Sequence, residues 1–300
     1  MIEIDEAWLQ ANPLPVHRPG TDKNARGRVL LVGGAKFVPG ALRLSGEAAL
    51  RAGCGKLQLA TVADVATALG VLMPEAAMMA LPAEAEGEIA STAAAILAAP
   101  LQGCDTLIIG PGMSEHARTA ELVGQLLATP RADLTILLDA AAATCARDLA
   151  RSIADHEGRV LLTPHFGEMA AITGRSREEI AADPARFARL LSEELGALIV
   201  LKSESTIIAA PGRTALTLRS DCVGLATGGS GDVLAGVIGG LMARGADPMT
   251  AAAWGVVSHA AAGRHASKLI GPIGFLASDL LGFIPALIDE PFGSDITGPA

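Results

Sequence analysis

Residues 28–60 read RVLLVGGAKFVPGALRLSGEAALRAGCGKLQLA, and the order of patterns within them decides the fold. Arg28-Val29-Leu30-Leu31-Val32 is a short apolar run with no polar alternation, the mark of a strand buried on both faces. A helical stretch follows from about Gly40 to Ala52, and Lys56-Leu57-Gln58-Leu59-Ala60 is a second strand. Strand, helix, strand in this spacing implies parallel strands in one sheet.

The alternation continues outward. Val62 to Leu72 reads as a short helix. Thr106-Leu107-Ile108-Ile109 and Leu134 to Leu138 are apolar runs ending in Gly110 and Asp139. Val160-Leu161-Leu162 ends in Thr163-Pro164, and Ala197 to Leu201 ends in Lys202. The pattern predicts an α/β domain with a mostly parallel central sheet covered by helices on both faces. One element departs from it. Thr206 to Ala210, Pro211-Gly212 and Thr214 to Leu218 read as an antiparallel hairpin at a sheet edge, and only helices are predicted after it. Residues 1–26, with three spaced prolines, are expected to form an extended arm. Residues 27–290 are then a single domain, and 291–300 a loose tail.

Composition narrows the function. The net charge is −9 without a basic block, so nucleic acid and anionic membrane are excluded as expected partners. The four cysteines are scattered without a Cys-x-x-Cys pair, as in a reduced cytoplasmic protein. The N-terminus lacks a signal-peptide pattern, and no uncharged run is long enough for a membrane span.

In open parallel sheets, ligands gather beyond the carboxyl ends of the strands. Gly33-Gly34, Gly110-Pro111-Gly112, Asp139, Thr163-Pro164-His165 and Lys202 all fall there. The richest segment is Gly224 to Leu234. Gly228, Gly229, Ser230 and Gly231 precede a helix whose apolar positions are Val233, Leu234, Val237, Ile238, Leu241 and Met242. Small residues at a helix start let amides converge on an anion, with the helix dipole adding positive potential. Asp232 has two readings: a general base beside a bound phosphate, or an ordinary first-turn carboxylate. Similar alternatives hold for His165 and Glu168, as ligand contacts or a helix start, and for Lys202, as a phosphate-binding cation or a solvated strand end. His259 and Trp254 read as core residues. A P-loop and a Gly-x-Gly-x-x-Gly dinucleotide fingerprint are both absent.

Taken together, five segments carry a resemblance: GRVLLVGG (27–34) with Pro39-Gly40-Ala41, IIGPGM (108–113), LLTPHFGEM (161–169), LATGGSGDVLAG (225–236) and GFLASDLL (274–281). The chain resembles the ADP- or ATP-dependent NAD(P)H-hydrate dehydratases, a branch of the ribokinase-like superfamily, from about Gly27 to Ile288. The resemblance implies a ribokinase-like fold and repair of hydrated NADH and NADPH. The ring hydroxyl would be phosphorylated by a nucleotide, and phosphate then eliminated. Asp232 would be the catalytic base. Ala41, Gly112, His165 and Asp232 would line the hydrated-cofactor site. Lys202, Ser203, Glu204, Ser205, Thr206 and Gly231 would hold ADP or ATP. Gly228 to Gly231 would form the anion nest, and Mg2+ would bridge the phosphates, with Glu168 reaching it through water.

The resemblance also implies a homo-oligomer, with a tetramer expected, and a separate epimerase in the same pathway. Two departures stand out. The family's Asp-Ala-Asp-[Ala/Gly]-Leu-Asn is Asp139-Ala140-Ala141-Ala142-Ala143-Thr144 here, and its Lys-Gly is Lys202-Ser203. Rival readings are a ribokinase-like kinase acting on a vitamin precursor and a catalytically silent nucleotide-binding protein.

Overall fold

The computed structural model describes residues 1–114 and 117–291. The tail expected over 291–300 thus lies almost wholly outside the described residues. Ten strands form one sheet: β1 (Ile2–Glu3), β2 (Arg28–Val32), β3 (Lys56–Val62), β4 (Ala77–Leu81), β5 (Thr106–Ile109), β6 (Thr135–Leu138), β7 (Val160–Leu162), β8 (Leu198–Leu201), β9 (Ser205–Ala209) and β10 (Leu216–Arg219). Their order across the sheet is β1-β10-β9-β8-β7-β6-β5-β2-β3-β4. Strands β2 to β8 are mutually parallel, and only β9 runs against its neighbours.

The strands divide their side chains between two cores with a period of two. Val29 and Leu31 enter one core, Leu30 and Val32 the other; Ile108 and Leu137 separate from Leu107, Ile109, Ile136 and Leu138 in the same way. The first core is closed by helices Pro39–Arg51, Ser230–Ala243 and Pro248–Leu269. Close packing of the first two rests on glycine. A Cβ at Gly236 would lie 2.1 Å from the Ser45 carbonyl oxygen, and one at Gly240 would lie 2.6 Å from that of Ala49.

The N-terminal residues correct the expected extended arm. Ile2–Glu3 pairs in parallel with β10, so the hairpin lies one strand in from the sheet edge. Glu6–Ala11 is helical, capped by the Asp5 carboxylate accepting from the Trp8 amide at 2.8 Å. Ile4 and Leu9 drive this docking: both are buried in the first core. Farther on, the Trp254 indole donates to the Asn12 carbonyl at 2.8 Å.

The chain passes from β2 outward to β3 and β4, then returns across β2 to β5. The loops leaving β2 and β5 therefore lie side by side at a topological switch point of the sheet. The Gly34 amide donates to the Pro111 carbonyl at 2.8 Å, and the Ala35 amide to that of Gly112 at 2.9 Å.

Candidate active site

The Ser230–Ala243 helix begins at the carboxyl ends of the strands. Its cap, Gly229, has φ 89°, and a Cβ there would lie 2.6 Å from Leu44 Cδ1. Glycine is thus required both by conformation and by space. Gly228 is different, because a Cβ there would meet nothing. Among the described residues, the Gly231 and Asp232 amides have no backbone acceptor, as the first turn of a helix leaves them. Two donors and the helix dipole therefore point out of this terminus.

Lys202 reaches the same point from β8. A Cβ at Gly231 would sit 3.3 Å from its Nζ, so the missing side chain lets the ammonium approach the helix start. Lys202 Nζ donates to Asp139 Oδ1 at 3.0 Å and lies 3.8 Å from Glu168 Oε2. Asp139 Oδ1 also accepts from the Thr163 hydroxyl at 2.6 Å. Burial opposes charge on Lys202, but Asp139 and Glu168 outweigh it and hold the ammonium above its ordinary pKa. Asp232 is pushed the other way. Burial first, then the Asp139 charge, raise its carboxyl to about 7, against the lowering pull of Lys202. A base poised near neutrality can both take and return a proton.

His165 caps the Phe166–Thr173 helix. Its Nδ1 accepts from the Glu168 amide at 3.0 Å, and Glu168 Oε2 accepts from the His165 amide at 2.8 Å. With Nδ1 occupied as an acceptor, the neutral ring carries its proton on Nε2 and presents a donor. The Lys202 amide donates to the Pro164 carbonyl at 2.8 Å, which ties this cap to β8.

A cleft of about 810 Å³ opens beside the nest. His165, Lys202, Ser203, Glu204, Thr206, Ser230 and Gly231 line it. Ser205 does not; it enters the sheet opposite Arg219. Glu204 stands at the exposed rim, 3.4 Å from Arg219 Nη2. Ala41 and Gly112 lie together at the switch point, where a Cβ at Gly112 would be 3.0 Å from that of Ala41. Ser45, one turn beyond Ala41, donates from its hydroxyl to the Asp232 carbonyl at 2.8 Å, so the switch point adjoins the start of the Ser230–Ala243 helix.

Sequence reading placed Asp139 on this strand-end edge but assigned it no role beside Lys202 and Asp232. The substituted positions after it are inward-facing. Ala141 is buried in the second core, and the Thr144 hydroxyl bonds the Ala141 carbonyl at 2.8 Å. Ala140 takes φ 47°, a left-handed conformation in which a side chain is strained. At Lys202-Ser203, the Ser203 hydroxyl donates to the Ser205 carbonyl at 2.8 Å and shapes the cleft loop. His259 is buried with its Nε2 3.0 Å from both the hydroxyl and the carbonyl oxygen of Ser230, a satisfied core histidine that also lines the cleft. Burial lowers it to about 4, which keeps it neutral. Among the described residues no cluster of three or more His, Cys, Asp or Glu could hold a metal ion, and no helix is long and apolar enough to cross a membrane.

A sequence profile described as NAD(P)H-hydrate dehydratase matches residues 29–286. The chain belongs to the NAD(P)H-hydrate dehydratase family. It is 44% identical over 288 residues to an ADP-dependent (S)-NAD(P)H-hydrate dehydratase of Xanthomonas campestris pv. campestris, covering 96% of each chain. It is 36% identical to a bifunctional NAD(P)H-hydrate repair enzyme of Moorella thermoacetica, covering 95% of this chain but 53% of that relative. The chain thus spans about half the length of its bifunctional relatives. Among solved structures, an ADP/ATP-dependent NAD(P)H-hydrate dehydratase of Bacillus subtilis, co-crystallised with ATP and Mg2+, superposes with a TM-score of 0.79 at 26% identity, covering 97% and 98% of the two chains. The fold is ribokinase-like.

Proposed function

We infer that the protein is a nucleotide-dependent (S)-NAD(P)H-hydrate dehydratase, a carbon–oxygen lyase that restores hydrated NADH and NADPH. Family membership and near full-length identity to the Xanthomonas enzyme support this reading. The observation that carries the mechanism is the meeting of Asp232, the Gly231 and Asp232 amides and Lys202 at one helix terminus beside a large cleft.

The Asp232 carboxylate takes the proton of the ring hydroxyl as that oxygen attacks the terminal phosphorus of the nucleotide. The oxygen–phosphorus bond forms while the bond to the departing nucleotide breaks. Free amides and the Lys202 ammonium hold the charge on the transferring group. Phosphate is a far better leaving group than hydroxide. It departs with the carbon–oxygen electron pair as the ring nitrogen's lone pair moves in, and loss of a neighbouring proton restores the double bond. His165 Nε2–H supplies a donor toward the ring, while Ala41 and Gly112 leave room for it at the switch point.

The residues fit Mg2+ held chiefly by nucleotide phosphates. Glu168 turns a carboxylate toward the Lys202 cluster without a set of protein ligands around it, which suits an ion that keeps its waters. Mg2+ there would neutralise phosphate charge.

A cytoplasmic setting accords with four scattered cysteines that form no Cys-x-x-Cys pair. A homo-oligomer accords with the exposed apolar side chains of Val223, at the cleft, and of Ile270, Ile273 and Leu276. An epimerase would supply the S form from its epimer.

The deciding experiment incubates the protein with hydrated NADH, Mg2+ and either ADP or ATP, and follows dihydronicotinamide absorbance. Recovery of absorbance dependent on nucleotide is the expected result. A stable phosphorylated product from a thiazole or pyrimidine alcohol, with no recovery, would establish the kinase instead. Nucleotide binding without any turnover would establish a silent binder.

A further inference from the structure

A second pocket, of about 480 Å³, opens at the other end of the catalytic helix. Arg244 is the C-terminal cap of Ser230–Ala243, twelve residues from Asp232 and thus about 18 Å along the axis. Arg26, from the segment leading into β2, also lines the pocket. Arg244 donates to the Ala52 carbonyl at 2.9 Å and the Pro15 carbonyl at 3.5 Å, and Arg26 to the Gly53 carbonyl at 3.1 Å. Among the described residues neither guanidinium forms an ion pair, although Asp289 at the rim is an opposing charge felt by Arg244. Most of their donors are therefore unspent.

Three further observations point to a ligand. Gly53, at φ 102°, leaves space for the Arg244 side chain, since a Cβ there would be 3.1 Å from its Cδ. His17 also lines the pocket, and its Nε2 is buried without a partner among the described residues, an orphan in a class of atoms that are nearly always satisfied. Leu14, Trp254 and Ile288 add an apolar wall.

We propose that this pocket is a second, non-catalytic site for a small phosphate-headed organic anion. The head would lie between Arg26 and Arg244 within reach of His17 Nε2, and the apolar body would lie against Trp254. Two separate guanidinium forks and an imidazole approach from different directions. A tetrahedral phosphate has oxygens for all three, whereas one planar carboxylate fills a single fork.

The test titrates the full chain with phenyl phosphate and, in parallel, benzoate, following tryptophan emission and heat of binding. The expected result is saturable binding of phenyl phosphate, weakened at least roughly tenfold by Arg26→Gln, the scale of one lost charge-assisted contact. Arg26 is exposed and outside the catalytic cluster, so the variant keeps its unfolding midpoint and turnover. Arg244→Gln should weaken binding similarly, while Lys202→Met, which alters the catalytic cleft, should leave it unchanged. No saturable response into the millimolar range, a response that survives both arginine variants, one lost in Lys202→Met, or equal affinity for benzoate would each overturn the proposal.

Discussion

Replacing Asp232 with Asn should cost activity and add stability, and both effects follow from one environment. The carboxyl is raised from 3.8 to about 7, first by burial and then by the Asp139 charge. A group whose pKa is raised on folding binds its proton more tightly in the native state. It contributes stability below about pH 3.8, and that contribution disappears as pH climbs through 7. Each pKa unit corresponds to about 1.4 kcal/mol, so an ionised Asp232 costs the fold up to about 4 kcal/mol at alkaline pH. Partial access of water to the side chain reduces this to about 2 kcal/mol.

Asparagine has the same shape and no charge to bury. The variant's advantage over wild type should therefore be small near pH 4 and widen steadily from pH 5 to 8.5, reaching several degrees in melting temperature near pH 8.5, as scanning calorimetry would show. Its turnover should fall by roughly two to four orders of magnitude, the contribution of a positioned base. The nucleotide affinity should persist, because Lys202 and the amides remain. Turnover within tenfold of wild type would refute the base assignment. Melting curves of the two proteins that stay parallel from pH 5 to 8.5 would refute the electrostatic account of the site.

Other expectations concern the same cluster and its supports. Wild-type kcat/KM should rise with pH through an acid limb near 7. Lys202→Met should move that limb upward, since the ammonium holds Asp232 down; an unmoved limb in a pH–rate profile would refute the coupling. Gly236→Val should destabilise the fold strongly, because a side chain would collide with the Ser45 carbonyl; urea unfolding would detect this, with loss of at least about 3 kcal/mol expected. Deleting residues 1–11 removes the buried Ile4 and Leu9 and the edge strand, and should lower unfolding free energy by about 3–5 kcal/mol. A truncated chain as stable as wild type would mean the edge strand contributes little.

The parallel core was legible because its strands are buried on both faces, so Arg28–Val32 and Thr106–Ile109 appear as unbroken apolar runs. β4 was not, since Ala77-Met78-Met79-Ala80-Leu81 is built from weak strand formers at a half-exposed edge. β1 escaped for another reason: two residues carry no periodicity, and their partner lies more than two hundred positions away. At the site, punctuation at strand ends and helix starts singled out Asp232 and Lys202 as candidates, and the structure brings the two together. Asp139 was noticed at a strand end and as the start of an altered motif but given no role, because that role depends on a lysine from β8 that sequence spacing does not bring near. Ala41 and Gly112 could be placed only by resemblance, since neither has a polar group to betray it.

The pairing of Ile2–Glu3 with Leu216–Thr217 has a temporal side. Ile2 and Glu3 are made more than two hundred positions before Leu216 and Thr217, so they must wait for that stretch of chain before their hydrogen-bonding partners exist. During that interval Ile4 and Leu9 have no finished core to enter, and a chaperone could compete for them. Addition of β1 to the sheet thus works as a late checkpoint in biosynthesis. The hairpin that leads from the Lys202 loop gains its outer neighbour only when this early segment docks beside it.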